Sequence, residues 1–99
     1  MRFLLAPALV IAATPSLAAL SGFYDSQEQI QAIFASPEVA DALHQMPVEE
    51  LKFEGERKDG LIKWEVESRD CDMDVYLKPM PPAGVGKTTY AVAKVSRCD

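Results

Sequence analysis

The chain has one histidine and two cysteines. Its longest basic run is Arg57-Lys58, and Asp59 follows directly. Each scarcity closes off a class of function. Without a basic patch, an acidic chain repels phosphate backbones, so nucleic acid is not an expected partner. With a single imidazole and two thiols that are better spent on a bridge, few routes to nucleophilic or metal chemistry remain. Long apolar runs are also missing. Phe3–Ala13 is eleven residues without a charge, whereas crossing a bilayer takes roughly 20 apolar residues. Extending the run to Leu20 brings in Pro7, Thr14, Pro15 and Ser16.

That short run has a different reading. Met1-Arg2 is a positive start, Phe3–Ala13 an apolar segment, and Ser16 and Ala18 are small residues at cleavage-site spacing. This is the pattern of a secretory signal peptide over residues 1–18. The expected products are an exported protein, periplasmic or secreted, beginning at Ala19, with no membrane span after cleavage. No cysteine near the site suggests lipid attachment. Removing the segment takes Arg2 from the chain's 10 basic residues and none from its 15 acidic ones, leaving 9 against 15. Residues 19–99 are enough for one small domain and too few for two cores.

The two cysteines are Cys71 and Cys98. Their separation rules out a C-x-x-C redox pair, and in an oxidising compartment an isolated pair usually closes. An intramolecular disulfide is expected, with no thiol left over. Such a bridge matters here, because a core this small rarely supplies more than ~3–5 kcal/mol.

The sequence divides into a helical half and a strand half. Ser26 to Gln29 has the form of a capping box, and Ile30, Ile33 and Phe34 follow at helical spacing. Ser36-Pro37 restarts the pattern, with Val39, Leu43 and Met46 as the second apolar stripe. Two short helices are predicted, about 26–35 and 37–45, kinked at Ser36, after a loose lead-in over 19–24. Alternation then predicts four strands. Leu51 and Phe53 alternate with Lys52 and Glu54. Asp59-Gly60 marks a hairpin, and Ile62, Trp64 and Val66 alternate with Lys63, Glu65 and Glu67. A two-residue turn pairs Lys52 with Glu67, and a four-residue loop pairs Lys52 with Glu65. Either places Phe53 and Trp64 on the same, buried face.

Cys71, Met73, Val75 and Leu77 form the inward face of a third strand, opposite Asp72, Asp74, Tyr76 and Lys78. Pro79–Gly86 reads as a loop, since proline removes ladder donors. Thr88–Cys98 is the fourth strand, but its phase puts Lys94 inward with Tyr90, Val92 and Cys98 unless a bulge intervenes. The fold class is α+β: two short N-terminal helices packed on one face of a four-stranded antiparallel meander.

No motif survives as a catalytic or cofactor signature. Gly86-Lys87-Thr88 ends like a phosphate-binding loop, but Pro81 stands where the first glycine belongs and a strand follows instead of a helix. Asp70, Asp72 and Asp74 are spaced by two and are weak calcium candidates. Read as a calcium loop, Val75 replaces the sixth-position glycine and Pro81 the twelfth-position glutamate. His44 falls at a helix end, where a surface histidine complements the dipole. The loop at Pro79–Gly86, with Met80, Val85 and neighbouring Lys87, is the candidate partner contact, because prolines limit the entropy lost on binding. The expected function is a non-catalytic module that binds another protein or envelope component, an accessory or inhibitor-like domain without a cofactor. The alternatives are a small-molecule or metal-ion binder and, third, a small hydrolase.

Overall fold

The computed structural model describes residues 20–96 and 98, so the signal-peptide reading at 1–18 and the cleavage site before Ala19 lie outside the described residues. Two helices precede four strands: α1 Gly22–Phe34, α2 Pro37–Ala42, β1 Glu50–Glu56, β2 Ile62–Ser68, β3 Cys71–Met80 and β4 Thr89–Val95. The strands form one antiparallel sheet in the order β1-β2-β3-β4. This is the α+β meander that the alternation implies.

Helix α1 starts earlier than the capping-box pattern places it. Ser21, not Ser26, is the N-cap, and its side chain accepts from the backbone N–H of Tyr24. The lead-in expected to be loose is therefore helical from Gly22. Ser36 caps α2 by accepting from the Val39 N–H at 3.3 Å, with Pro37 in the first turn. That orphan N–H is what a serine cap satisfies. Helix α2 ends at Ala42, short of residue 45. The N–H of Gln45 donates to Ala40 O and that of His44 to Asp41 O, while both residues take positive φ. This is a Schellman closure, with His44 in the left-handed position that glycine usually fills. The place of His44 is thus explained by how the helix stops.

The sheet's helix-side face carries the core. Trp64, Val66, Cys71, Met73, Val75 and Leu77 are buried there against Ile33, Val39 and Leu43. Strands β2 and β3 run in strict two-residue alternation and are joined by the tight turn Arg69-Asp70. The β1–β2 register pairs Lys52 with Glu65 and Phe53 with Trp64. Away from the turn this is the pairing of the four-residue-loop alternative. Nearer the turn the register shifts by one, so Gly55 rather than Glu54 pairs with Lys63 and the Arg57 N–H donates to Leu61 O across the turn Lys58–Gly60. The shift comes from a bulge at Glu54 before Gly55, whose φ is 103°. Glycine tolerates that angle and a side chain does not.

Two strand expectations are corrected. Strand β3 continues through Pro79 to Met80, where only a loop was expected. Pairing with β2 stops at Leu77, so beyond it β3 borders β4 alone. Proline is tolerated where one side of the backbone has no ladder to join. In β4 a bulge at Ala93 separates the pair Leu77–Val92 from the pair Tyr76–Lys94. The bulge shifts the phase by one, which turns Lys94 outward and Val95 inward. It resolves the conflict in the alternation.

Candidate functional site

The disulfide joins Cys71 to Cys98 with a Cα–Cα distance of 4.9 Å. Cys71 opens β3, and Cys98 lies just past β4. Ser96 holds that end in place: its Oγ accepts from the Asp74 N–H and its N–H donates to Asp74 O, both at 2.8 Å. Beside the bridge, Glu38, Asp41, His44, Val95, Ser96 and Cys98 line an open cleft of ≈ 460 Å³. His44 is exposed there.

A polar chain that the sequence reading missed locks α1 to the sheet. Trp64 Nε1 donates to Gln29 Oε1 at 2.8 Å. Gln29 Nε2 donates to Asp25 Oδ2 at 3.1 Å, and Tyr90 OH donates to Asp25 Oδ1 at 2.8 Å. Gln29 is buried. Burial, and then the bond to Asp25, hold the Tyr90 phenol above its ordinary pKa. The chain links α1 with β2 and β4 and leaves the buried indole N–H satisfied. The available signal was spacing: Asp25, Gln29 and Ile33 are four apart and share one helix face.

The face of the sheet away from the helices is charged and sorted. Pairing places Glu50, Glu67 and Asp72 in one row across β1, β2 and β3, with Lys52, Glu65 and Asp74 in the next. Lys52 lies 3.6 Å from Glu65 and 3.8 Å from Glu67. Toward the other end, Arg57 and Lys94 both stand over the Tyr76 ring, at 4.8 and 4.9 Å. One end of the face is therefore acidic and the other carries cations around a phenol. Asp72 and Asp74 belong to the acidic end, and Asp70 sits in the β2–β3 turn. Asp74 faces Lys63 at 3.7 Å. Among the described residues, no three histidine, cysteine or carboxylate side chains gather in a way that holds a metal ion.

Glu67 carries the cost of this sorting. Partial burial raises its carboxyl pKa, and the nearby carboxylates of Glu50, Asp72 and Glu65 push it the same way, against Lys52. An acid whose folded pKa is raised binds protons more readily in the folded state. It destabilises the fold above that pKa, and the penalty is lifted as pH falls through it. Glu67→Gln is therefore expected to raise the denaturation midpoint at pH 7, with the gain shrinking as pH falls below the raised pKa into the acid range. Urea melts across pH 4–8 check this, and a gain that does not depend on pH would contradict it.

The loop over 81–88 is more anchored than a free contact loop. Lys87 Nζ pairs with Glu28 Oε2 on α1 at 2.9 Å. Val85 is 83% exposed at its tip, and Met80 is 39% exposed where β3 ends. The expectation for Phe53 is corrected. It does share a face with Trp64, their rings meeting edge to face at 5.4 Å, but it is 59% exposed. The helices lie against β4, which leaves the β1 end of that face uncovered. Phe34, expected in the apolar stripe of α1, is 54% exposed at the helix end, and Phe23 is 76% exposed. No helix among the described residues is long and apolar enough to cross a membrane. Comparison of the chain with protein-family models, curated proteins and solved structures finds no match.

Proposed function

We propose that this is an exported, disulfide-bridged binding domain that acts by holding another protein or envelope component, without catalysis of its own. One observation carries the reading: all three described phenylalanines, Phe23, Phe34 and Phe53, are more than half exposed. Burying such a side chain gains ~1.5–3 kcal/mol. The domain instead fills its core with Ile33, Val39, Leu43, Val66, Met73, Val75 and Leu77 around a single tryptophan. Aromatic side chains left on a surface are the usual anchors of a partner interface. Val85 at the loop tip, with Met80 and Lys87 beside it, is a further contact point. The acid excess of the chain disfavours a nucleic-acid partner. The bridge fits an oxidising compartment, as does the leader pattern of residues 1–18.

The test is cross-linking and recovery of the protein in a host that exports it. The Phe23→Ser/Phe34→Ser/Phe53→Ser variant is expected to keep its cooperative melt and lose the recovered partner. Full recovery of the partner by the triple variant contradicts the reading, as does turnover of ester, peptide or glycan substrates by the purified protein. The same preparation tests export processing. Its intact mass is expected to correspond to a chain starting at Ala19, and soluble exported protein retaining residues 1–18 would contradict the leader assignment.

A further inference from the structure

We propose that β1 is a receiving edge, to which an extended segment of another protein with alternating basic and apolar side chains adds as a fifth strand. The inference rests on the binding-domain reading and says where and how the partner is held. Among the described residues, β1 pairs only with β2. Its outer row of backbone donors and acceptors is therefore open to another strand. The helices come closest to β4, and at the β1 end of the helix-side face Phe53 is left exposed. On the helix-side face, half-buried Leu51 and 59%-exposed Phe53 form an apolar shelf, continuous with buried Trp64 through the ring contact at 5.4 Å.

The opposite face states the charge of the occupant. Glu50 lies at the edge, backed by Glu67 and Asp72 in the same row and by Glu65 and Asp74 in the next, with Lys52 as the ammonium set among them. A strand added to β1 would lie about 4.8 Å away, with its side chains alternating between the two faces. One set would land beside Leu51 and Phe53, and the other beside Glu50 within reach of Glu67. Apolar residues suit the first position, and lysine or arginine the second. The bulge at Glu54 and Gly55 ends regular pairing, so the usable edge is Glu50–Phe53. A short edge limits addition to a short segment and discourages open-ended stacking. A second copy suits it less, because the copy is itself acidic and, paired antiparallel about Lys52, sets Glu50 against Glu54.

The experiment titrates the exported protein with an end-capped heptapeptide of alternating lysine and valine. Two controls accompany it: the same peptide with glutamate for lysine, and the lysine peptide with proline for its central valine. The lysine–valine peptide is expected to bind at least about tenfold more tightly than either control, and to slow amide exchange within Glu50–Phe53. Phe53→Ser and Glu50→Lys, both surface changes, are each expected to weaken it by about tenfold. Equal binding of the proline peptide would show attraction by charge alone and overturn the strand-addition proposal. No binding up to ~1 mM would overturn it too. Concentration-dependent protection of β1 without peptide would assign the edge to a second copy instead. If the single Phe53→Ser variant still recovers its partner while the triple variant does not, the binding-domain reading stands and the β1 edge is wrong. If the triple variant also recovers it, the broader reading has failed.

Discussion

Trp64→Ala is expected to destabilise the domain by ~3–5 kcal/mol, the range for removing a large buried aromatic. Trp64 is 5% exposed and is the largest side chain of the core. The change leaves a cavity, and it also strands a buried partner. Gln29 Oε1 loses the indole donor at 2.8 Å, and a buried acceptor left unpaired adds to the cost. For a chain this short, most of the net stability is at stake, since a small core supplies only ~3–5 kcal/mol. Urea denaturation followed by circular dichroism measures it. A loss under about 1 kcal/mol would show that the indole is not a core group. Trp64→Phe keeps most of the volume but removes the donor, so it should cost ~1–3 kcal/mol, the penalty for leaving Gln29 unsatisfied. Comparing the two variants separates packing from hydrogen bonding.

Reduction of the Cys71–Cys98 bridge is expected to lower the unfolding free energy by ~2–4 kcal/mol. The cysteines are 27 residues apart, and closing a loop of that size restricts the unfolded chain by roughly 3.5 kcal/mol in the loop-entropy account. The folded state adds a local role. Cys71 is 4% exposed and belongs to the core, while Cys98 lies in the cleft beside Ala42 of α2. The bridge therefore fastens Cys98 next to the second helix. A thiol assay on native protein should find no free cysteine. Melts with and without reductant give the energy difference, and coincident melts would mean that the bridge does not hold the fold.

The parts legible in the sequence are those set by alternation. In β2 and β3, Trp64, Val66, Met73, Val75 and Leu77 fall on one face by two-residue spacing alone, and the structure buries them all. The bridge was legible because the meander brings the start of β3 beside the end of β4. The bulge at Ala93 and the extension of β3 to Met80 keep the two strand ends level. The misses share a cause. Periodicity assigns a residue to a face but does not say whether another layer lies over it. Phe53 is on the core-side face, yet the helices come closest to β4 and leave it 59% exposed at the β1 end of the sheet. Phe34 lies in the α1 stripe one position past Ile33, at the rim where the helix ends. The cap of α1 lies at Ser21 with no trace in the periodicity, because Phe23 and Tyr24 are exposed and give the first turn no amphipathic signal. Gln29 suits a capping role by local sequence, whereas its partner is Trp64, 35 residues away in sequence. Long-range polar pairing of that kind leaves no periodic trace.

The same misses feed the functional reading, because Phe34 and Phe53, which spacing sends to the core, are left outside by the fold, as is Phe23. The most direct test is photo-cross-linking in the exporting host, with a photoreactive phenylalanine analogue placed singly at Phe23, Phe34, Phe53 and Tyr76. Tyr76 is the control, since its ring lies on the opposite face beneath Arg57 and Lys94. The account predicts adducts to another protein or envelope component from at least one of the three phenylalanine positions and none from Tyr76. Absence of adducts at all three positions, or adducts from Tyr76 alone, would contradict it.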